Sequence, residues 1–365
     1  METKLKANKG EWSEFYTLLK LLAEKRLYAA DDKLEKIKEI FYPILKVITA
    51  KGTDNQMQYE ISEGSESVKI YNPKTNNFES LNTSVISDKL EKIFLGIKNS
   101  AETTFEIGIA DELLEKLHCH KVQASSAHKA DIFLVIHDLI TGIKPEVGFS
   151  IKSRLGSPST LLNASGATNF IFEIEGFSGS AADINSVEGS AKIRDRLKKI
   201  YSSGGKLKYI GLDSSVFQSN LRKIDSMMPD IIAEMLLLYY QKECVKVEMI
   251  AKFLEDNDPL KNPYFKPDTG FYEYKIKHLL LSSALGMMPS SQWNGLLEAQ
   301  GGYIIVREDG EIVCYHIYNQ DQFKDYLFNN TRLETPSSTR HKFGFAYEED
   351  GKMLFKLNLQ IRFTD

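Results

Sequence analysis

The sequence is poor in cysteine and has no long uninterrupted run of apolar residues. Its three cysteines, at positions 119, 244 and 314, are too few and too far apart for a disulfide framework or a two-by-two zinc site. The most apolar stretch, residues 231–238, is interrupted by Glu234 and is far shorter than the roughly 20 residues that cross a bilayer. The first residues lack the apolar core of a signal peptide. We therefore expect a cytoplasmic protein with no membrane role.

Sequence motifs for nucleotide cofactors and for serine hydrolases are also missing. The pair Gly301-Gly302 precedes a predicted strand, whereas the glycines of Walker and Rossmann motifs follow one. His137-Asp138 lies at a predicted strand end, and no serine elbow accompanies it. The sequence therefore predicts neither a nucleotide cofactor nor a catalytic triad.

The overall charge is slightly acidic, but it is unevenly distributed. The 365 residues contain 46 basic and 50 acidic side chains, for a net charge of −4, and 42% of the residues are apolar. This composition is typical of an ordinary folded chain. Residues 192–208 contain seven basic side chains and one acidic one, a local +6 that leaves −10 for the rest. Such a segment suits phosphate binding, although many charge runs are only solvated surfaces.

The periodicity of apolar residues predicts an α/β fold with mixed content in both halves. Helical spacing predicts helices over residues 11–26, 33–49, 87–97, 111–117, 160–164, 190–200, 229–254 and 272–285. Alternation or continuous apolar runs predict strands over residues 131–136, 146–152, 169–175, 302–306, 311–318 and 352–363, with a hairpin region over 52–82. The first three strands are expected in one sheet. A boundary near residue 220 would separate a catalytic region, 1–220, from a helical and β region, 221–365.

Two of the predicted strands bring an acid and a lysine together. On residues 146–152, Ser150 and Lys152 share the face opposite the apolar stripe. Antiparallel pairing with residues 131–136 would place Asp131 beside Ser150 or Lys152. A carboxylate that holds a hard cation, close to a lysine that orients water, can promote attack on a phosphodiester. The alternative is a plain ion pair that closes the hairpin.

Three glutamates are candidates for a further carboxylate. Glu14 falls within the apolar sector of the first predicted helix, where a charged group needs a partner such as a metal ion. The alternative is that it complements the helix dipole. Glu173 and Glu175 share one face of a strand and could join Asp131 if that face carries it. Such pairs are more often a solvated strand face.

Several motifs, in their order along the chain, resemble the HpaII-type restriction endonucleases of the PD-(D/E)XK nuclease superfamily. The motifs of the first half are KGEWSE at 9–14, KAD at 129–131, GFSIKSRLGS at 148–157 and TLLNAS at 160–165. Those of the second half are GM at 286–287, WNG at 293–295, GGY at 301–303, YLF at 326–328, TRLETPSSTRH at 331–341 and LNLQIRF at 357–363. The resemblance implies a nuclease core with a mixed central sheet flanked by helices, and a mixed α+β half that recognises DNA.

The resemblance also implies an activity and a set of catalytic residues. It implies a Mg²⁺-dependent type II endonuclease that cuts double-stranded DNA at a short palindrome, expected to be CCGG. Asp131 matches the metal-binding aspartate of the superfamily, Lys152 its catalytic lysine, and Glu14 a helix-borne glutamate that also binds metal. A cognate DNA methyltransferase would be the system partner, and a palindromic target favours a homodimer, although some enzymes with short sites act as monomers.

One position departs from the superfamily pattern. Ser150 occupies the catalytic position where an Asp or Glu usually supplies the second metal carboxylate, and a serine cannot do so. Some restriction enzymes with serine there recruit a glutamate from elsewhere, which makes Glu14 our preferred ligand and Glu173 or Glu175 the alternatives. Glu146 lies about 13 Å from Ser150 along the strand and is too distant to supply the second carboxylate.

The bases of a CCGG site offer acceptors and donors that suit arginine forks, amides and carboxylates in the major groove. Ordinary surface polarity is the alternative for each candidate. The candidates in the second half are Arg332, Glu334, Ser337, Ser338, Arg340, His341, Asn358, Gln360 and Arg362. Candidates for phosphate or minor-groove contacts near the catalytic strand are Arg154, Ser157, Ser159 and Asn163.

Two other functions remain open from the sequence. The same core could belong to a structure-specific or repair nuclease, but such enzymes are usually much smaller. A DNA-binding protein whose nuclease site has decayed is the other possibility, for which Ser150 is the suggestive feature.

Overall fold

The computed structural model describes residues 5–31, 33–62, 64–119, 129–139, 141–242, 244–316 and 320–364. The chain divides into two compact units, each made of two separate segments. The first contains Met1–Ser159 and Leu297–Phe323, and the second contains Thr160–Leu296 and Lys324–Asp365. The boundary expected near residue 220 falls inside the second unit. Among the described helices, none is long and apolar enough to cross a membrane.

Helices and strands are mixed throughout the described residues, which confirms the mixed α/β class. The helices are α1 (Lys9–Glu24), α2 (Thr83–Asn99), α3 (Asp111–Lys116), α4 (Ala181–Asn185), α5 (Lys192–Ser202), α6 (Ser215–Ile224), α7 (Met228–Lys242), α8 (Val247–Asn257), α9 (Phe271–Leu285), α10 (Gln320–Asn329) and α11 (Ser338–His341). The strands are β1 (Arg26–Ala30), β2 (Lys36–Thr49), β3 (Met57–Ile61), β4 (Ser67–Asn72), β5 (Asn77–Asn82), β6 (Ile132–Ile136), β7 (Glu146–Ser153), β8 (Thr160–Leu162), β9 (Asn169–Glu175), β10 (Lys206–Leu212), β11 (Gly302–Val306), β12 (Ile312–Tyr315), β13 (Thr331–Leu333), β14 (Ala346–Glu349), β15 (Lys352–Asn358) and β16 (Ile361–Phe363).

The first unit is built on a mixed sheet of nine strands in the order β1-β12-β11-β7-β6-β2-β3-β4-β5. The pairs β1/β12 and β7/β11 are parallel, and the other neighbours are antiparallel. Strand β1 also pairs with β2, so the six strands from β1 to β2 form a closed ring of pairings. Strands β6 and β7 carry or directly follow the predicted catalytic residues. Both are central in this sheet, and each is hydrogen-bonded to a neighbouring strand on both sides.

Helix α1 begins at a capping box. The Asn8 side chain accepts the Glu11 backbone N–H at 3.0 Å, and the Glu11 carboxylate accepts the Asn8 N–H at 2.7 Å. Two donors that a helix N-terminus would leave unpaired are thereby satisfied. Trp12 is fully buried, and its indole N–H donates to the carbonyl of Phe105 at 3.0 Å. The predicted first helix is confirmed. The burial of Trp12 and its hydrogen bond hold this helix on the core of the first unit.

Two of the predicted helices are wrong. Residues 36–49 form the long strand β2, because their β-branched and aromatic residues pair with neighbouring strands on both sides and Pro43 would interrupt a helix interior. Residues 160–162 form β8, which pairs with β16 from the far end of the chain. In both cases the partner strand decides the conformation, and spacing within the segment cannot identify that partner.

The second unit contains two smaller antiparallel sheets and most of the helices. One sheet has the order β10-β9-β15-β14, and the other has the order β13-β16-β8. The expectation that 169–175 shares a sheet with β6 and β7 is therefore wrong, although this segment is a strand. The predicted helix 229–254 is two helices, α7 and α8. Of the predicted strand 311–318, residues 317 and 318 lie outside the described residues.

Candidate functional site

The hairpin of β6 and β7 ends in a hydrogen-bonded carboxylate. Ile132 pairs with Phe149, whose carbonyl accepts the Asp131 N–H at 2.8 Å. The Asp131 Oδ2 atom then accepts the Ile151 N–H at 2.6 Å and the Ser150 hydroxyl at 3.0 Å. The side chain of Asp131 thus takes the place of a ladder carbonyl at the point where β6 begins. The predicted position of Asp131 beside Ser150 is confirmed.

Ser150 and Lys152 lie on the same face of β7, and Phe149 and Ile151 enter the core on the other face. Ser150 is only 3% exposed, whereas Lys152 is half-buried. The Lys152 ammonium lies 5.3 Å from the ring centre of Tyr303, which comes from the parallel neighbour β11. The aromatic face stabilises the cation and restricts the freedom of a long side chain.

The face of β7 that carries these residues is closely approached by two chain segments. A Cβ atom at Gly148 would lie 2.8 Å from the Ala130 side chain and 3.0 Å from the Glu298 carbonyl oxygen. At Gly302, where φ is +100°, a Cβ atom would lie 1.7 Å from the Tyr315 carbonyl oxygen. Gly148 therefore permits close packing on this face of β7, and Gly302 permits the close approach of β11 to the end of β12. This is the role of Gly302, for which the sequence offered no function.

Two residues beside the hairpin had no predicted role. The Glu298 carboxylate accepts the Lys129 backbone N–H at 3.2 Å. Burial has the largest effect on the pKa of the Lys129 ammonium and lowers it, and the positive charge of Lys152 lowers it as well. Asp131 and Glu298 oppose this change, and the resulting pKa is about 8. Sequence reasoning could have found Lys129, because it belongs to the KAD motif. No pattern around Glu298 indicates a site.

A polar cavity of about 780 Å³ adjoins the end of β7. Its lining includes Glu14 of α1 and Lys152, together with Ser153, Ser157 and Ser159. Two contacts attach α1 to this region. The Ser13 hydroxyl lies 2.8 Å from that of Ser153, and the Lys9 ammonium donates to the carbonyl of Leu155 at 3.0 Å. The structure therefore brings Glu14 and Lys152 to one cavity, and both belong to the first unit.

The predicted metal ligands do not gather into one dense cluster. Within the described residues, no three His, Cys, Asp or Glu side chains are close enough together to hold an ion. Glu173 forms an ion pair with Lys352 at 2.8 Å in the β9 sheet of the second unit. The premise that its strand joins the sheet of Asp131 is wrong, so Glu173 is not retained as a metal ligand. Glu175 is likewise paired, with Lys208 at 3.3 Å.

The predicted DNA contacts fall into both units. In the first unit, Arg154 is exposed directly after β7, close in sequence to the serines of the cavity. In the second unit, Asn163 is exposed after β8, and Ser337 caps α11, the short helix that contains Ser338, Arg340 and His341. Gln360 lies between β15 and β16, where its carbonyl accepts the Glu334 N–H at 3.2 Å.

Arg332 and Arg362 face each other across β13 and β16, with Glu334 between their guanidinium groups. Asn358, by contrast, is buried and hydrogen-bonded to Asn169 and Ser165, so it cannot reach a base. The pKa of His341 is lowered by partial burial and by the neighbouring charge of Arg340.

The basic segment 192–208 is less available than its composition indicates. Arg196 is buried and donates to three backbone carbonyls, which connects α5 to the chain around it. Lys192, Lys198 and Lys208 each form an ion pair with a nearby acid, at 3.9, 3.8 and 3.3 Å. Part of the local +6 is therefore balanced within the second unit, by Glu188 and Glu175.

Comparisons with known proteins agree over almost the whole chain. Residues 8–363 match the family model described as HpaII restriction endonuclease. The chain is also similar to the type II restriction enzyme HpaII of Haemophilus parainfluenzae, with 43% identity over 359 residues and coverage of 98% of each protein. No solved structure matches it. The matched range contains the β6/β7 hairpin, helix α1 and both sheets of the second unit.

Proposed function

The chain belongs to the HpaII restriction endonuclease family, and from this premise we propose that it cuts double-stranded DNA at the palindrome CCGG. As a member of this family it is a type II restriction endonuclease, a site-specific nuclease that binds DNA. The observation that supports a catalytic assignment is the contact of Asp131 with Ser150 on the hairpin that also carries Lys152. The proposed core is that of the PD-(D/E)XK nucleases.

We propose Mg²⁺ as the metal, with Asp131 and Glu14 as its protein ligands. The donors fit this ion: Mg²⁺ prefers oxygen and is usually held by one or two carboxylates, with waters and substrate phosphates completing its shell. The absence of a three-carboxylate group from the described residues is compatible with such a site. Asp131 has its Oδ2 atom engaged by the hairpin, which leaves Oδ1 for an ion. When bound, the ion would supply Lewis-acid catalysis and neutralise charge on the phosphate.

Lys152 is the residue that would act on the reacting groups. Its ammonium can donate a hydrogen bond to the attacking water and so orient it towards the phosphorus for in-line displacement. The same positive charge offsets the negative charge that develops on the phosphate oxygens. Ser150 cannot replace the missing carboxylate, since its hydroxyl donates to Asp131 and so holds that carboxylate in place.

Incubation of the protein with plasmid DNA and Mg²⁺ tests this function directly. We expect discrete fragments whose sequenced ends fix the recognition site and the position of the cut. Cleavage confined to branched DNA would support a structure-specific nuclease instead. Sequence-specific binding without cleavage in any divalent metal would support a decayed nuclease, which the serine at position 150 keeps as the second candidate.

The partners follow from the reaction. A cell that contains such an enzyme must protect its own CCGG sites, so we propose a cognate DNA methyltransferase in the same cytoplasm. A palindrome has two-fold symmetry, which a homodimer would match with one active site for each strand. Sedimentation of the protein with and without a CCGG duplex tests the dimer.

A further inference from the structure

Two serines of the first unit lie beside the proposed catalytic residues and contact each other. Ser13 directly precedes Glu14 in the KGEWSE segment of α1. Ser153 directly follows Lys152 and is the last residue of β7. Ser13 is fully buried and Ser153 is half-buried, and their hydroxyl oxygens lie 2.8 Å apart. The proposed function uses Glu14 and Lys152, but it gives these serines no role.

The serine pair belongs to a closed ring of contacts between the first turn of α1 and the end of β7. The Ser13 hydroxyl lies 2.7 Å from the Lys9 carbonyl oxygen. The Ser153 hydroxyl accepts the Leu155 backbone N–H at 3.1 Å, and the Leu155 carbonyl accepts the Lys9 ammonium at 3.0 Å. The two hydroxyl protons are enough for the two hydroxyl contacts that need them. We call this set, Lys9, Ser13, Ser153 and Leu155, the α1–β7 ring.

The Lys9 ammonium joins the ring to a third segment. It also donates to the carbonyl of Lys98, in the last turn of α2, at 3.0 Å. Hydrogen bonds from a charged donor are shorter and stronger than neutral ones. The stem of Lys9 passes close to the chain that follows β7, because a Cβ atom at Gly156 would lie 3.5 Å from Lys9 Cβ. The start of α1 is therefore held at several defined atoms.

The attachment of α1 to the core does not depend on this ring. Trp12, Phe15 and Leu19 are buried, and the Tyr16 hydroxyl donates to the carbonyl of Gly310 at 2.7 Å. Apolar burial is non-directional, so it can hold a helix on the core without fixing where the helix lies against the end of one strand. Hydrogen bonds between defined atoms add that restriction, because they weaken steeply when distance or angle changes.

We propose that the α1–β7 ring positions Glu14 and Lys152 relative to each other, which makes Lys9, Ser13 and Ser153 positioning residues. This inference rests on the proposed function. Glu14 and Lys152 line one cavity but come from different elements. Planar peptide bonds transmit a shift of either serine to the residue beside it. A misplacement of about 1 Å in an active site can cost about 10²-fold in rate.

Alanine substitution of either serine removes the contact between the two segments. We expect Ser13→Ala and Ser153→Ala each to slow single-turnover cleavage of a duplex with the recognition site by about 10- to 100-fold. Each should also weaken Mn²⁺ binding, followed by electron paramagnetic resonance, and leave DNA affinity without metal unchanged. Ser153→Thr keeps a hydroxyl and should retain most of both properties.

Ser87→Ala is the matched control for these variants. Ser87 is an exposed serine of α2, and its hydroxyl donates to the Thr83 carbonyl one turn earlier at 3.1 Å, as the Ser13 hydroxyl contacts that of Lys9. This substitution should leave the cleavage rate and the Mn²⁺ affinity unchanged. Wild-type values of both in folded Ser13→Ala and Ser153→Ala, even with lower melting temperatures, would overturn the proposal and make the ring a structural contact only.

Combined substitutions separate positioning from a general loss of stability. The double variant Ser13→Ala/Ser153→Ala should lose no more than either single variant, because both substitutions remove the same contact. In a Glu14→Gln background, Ser13→Ala should cause no further loss of Mn²⁺ affinity, since the ring acts on the metal through that carboxylate. Additive losses in both combinations would contradict the proposal.

Lys9→Met tests the ammonium, which lines the same cavity as Glu14. Methionine keeps an apolar stem but removes the donor to Leu155, so we expect slower cleavage and weaker Mn²⁺ binding at unchanged DNA affinity without metal. Lys92→Met, at an exposed lysine of α2, should change none of these. Weaker metal-free DNA binding by Lys9→Met would contradict its positioning role and identify a phosphate contact. The proposed function fails separately, if the wild-type protein gives no discrete plasmid fragments.

Discussion

At the scale of single residues, the candidate site combines one engaged carboxylate with two lysines. Asp131 is held by the Ile151 N–H and the Ser150 hydroxyl, and the charges of Lys129 and Lys152 act on each other across the same region. In the PD-(D/E)XK assignment that we propose, position 150 would usually hold an acid, so the serine leaves the hairpin end less negative. This suits the phosphate binding that the proposed function requires.

The clearest residue-scale prediction concerns Lys152. We expect Lys152→Ala to lower the rate of DNA cleavage about 10²- to 10³-fold, because a donor to the developing phosphate charge is lost. Specific DNA binding without metal should remain largely intact. Lys92→Ala, an exposed lysine of α2 in the same unit, is the control and should cleave normally. A near-normal cleavage rate for Lys152→Ala would contradict the assignment.

Glu14 can be tested by metal binding as well as by cleavage. If it is a ligand, Glu14→Gln should weaken binding of Mn²⁺, followed by electron paramagnetic resonance, and should slow cleavage without changing DNA binding in the absence of metal. Glu91→Gln, an exposed glutamate of α2, should leave both unchanged. If Mn²⁺ affinity is the same in Glu14→Gln and wild type, the second carboxylate comes from another residue.

At the scale of secondary structure elements, the geometry of the site depends on the close approach of two segments to β7. The chain that enters β6 and the chain that enters β11 both cross the face of β7 at Gly148. This crossing places Lys129 and Glu298 above the same face as Ser150 and Lys152. The glycine in the GFSIK segment is thus part of how the site is assembled.

Gly148→Ala should therefore damage both stability and cleavage. The added methyl group would lie 2.8 Å from the Ala130 side chain and 2.9 Å from the Phe133 ring, and overpacking of this kind costs about 1–3 kcal/mol. We expect a lower midpoint of thermal unfolding and slower cleavage. Gly166→Ala is the control, because a Cβ atom there has open space. Equal melting temperatures for Gly148→Ala and wild type would show that the segments can separate without cost.

The sequence predicts elements well where their signals are local. The hairpin of β6 and β7 has an apolar run and an alternating run separated by a short loop, and α1 carries its own capping residues. The sheet that contains β9 could not be predicted, because alternation in residues 169–175 is the same whichever strand pairs with it. Glu298 was missed for a related reason, since only the tertiary fold brings it to Lys129. The functional assignment of Asp131 and Lys152 came from the resemblance, since spacing alone left a plain ion pair open.

At the scale of the whole molecule, each unit is assembled from segments that are distant in sequence. In the first unit, β7 pairs with β11, and β1 pairs with β12 across more than half of the chain. In the second unit, β15 pairs with β9, and β16 pairs with β8. If the chain were divided at residue 220 into a nuclease half and a DNA-binding half, the two strands of each of these four pairs would fall in different halves.

We therefore expect neither contiguous half to fold when it is produced alone. A fragment of residues 221–365 lacks β8 and β9, and it also lacks Arg196, whose buried guanidinium binds the carbonyl of Gly344 at 2.7 Å. Unpaired strand edges and unpartnered buried carbonyls cost more than the fragment's remaining core can offset. Circular dichroism and one-dimensional NMR should give an unfolded chain or an aggregate, whereas the full-length protein, as the control, should give dispersed resonances. Dispersed resonances and cooperative thermal unfolding of the 221–365 fragment would contradict the division into interleaved units.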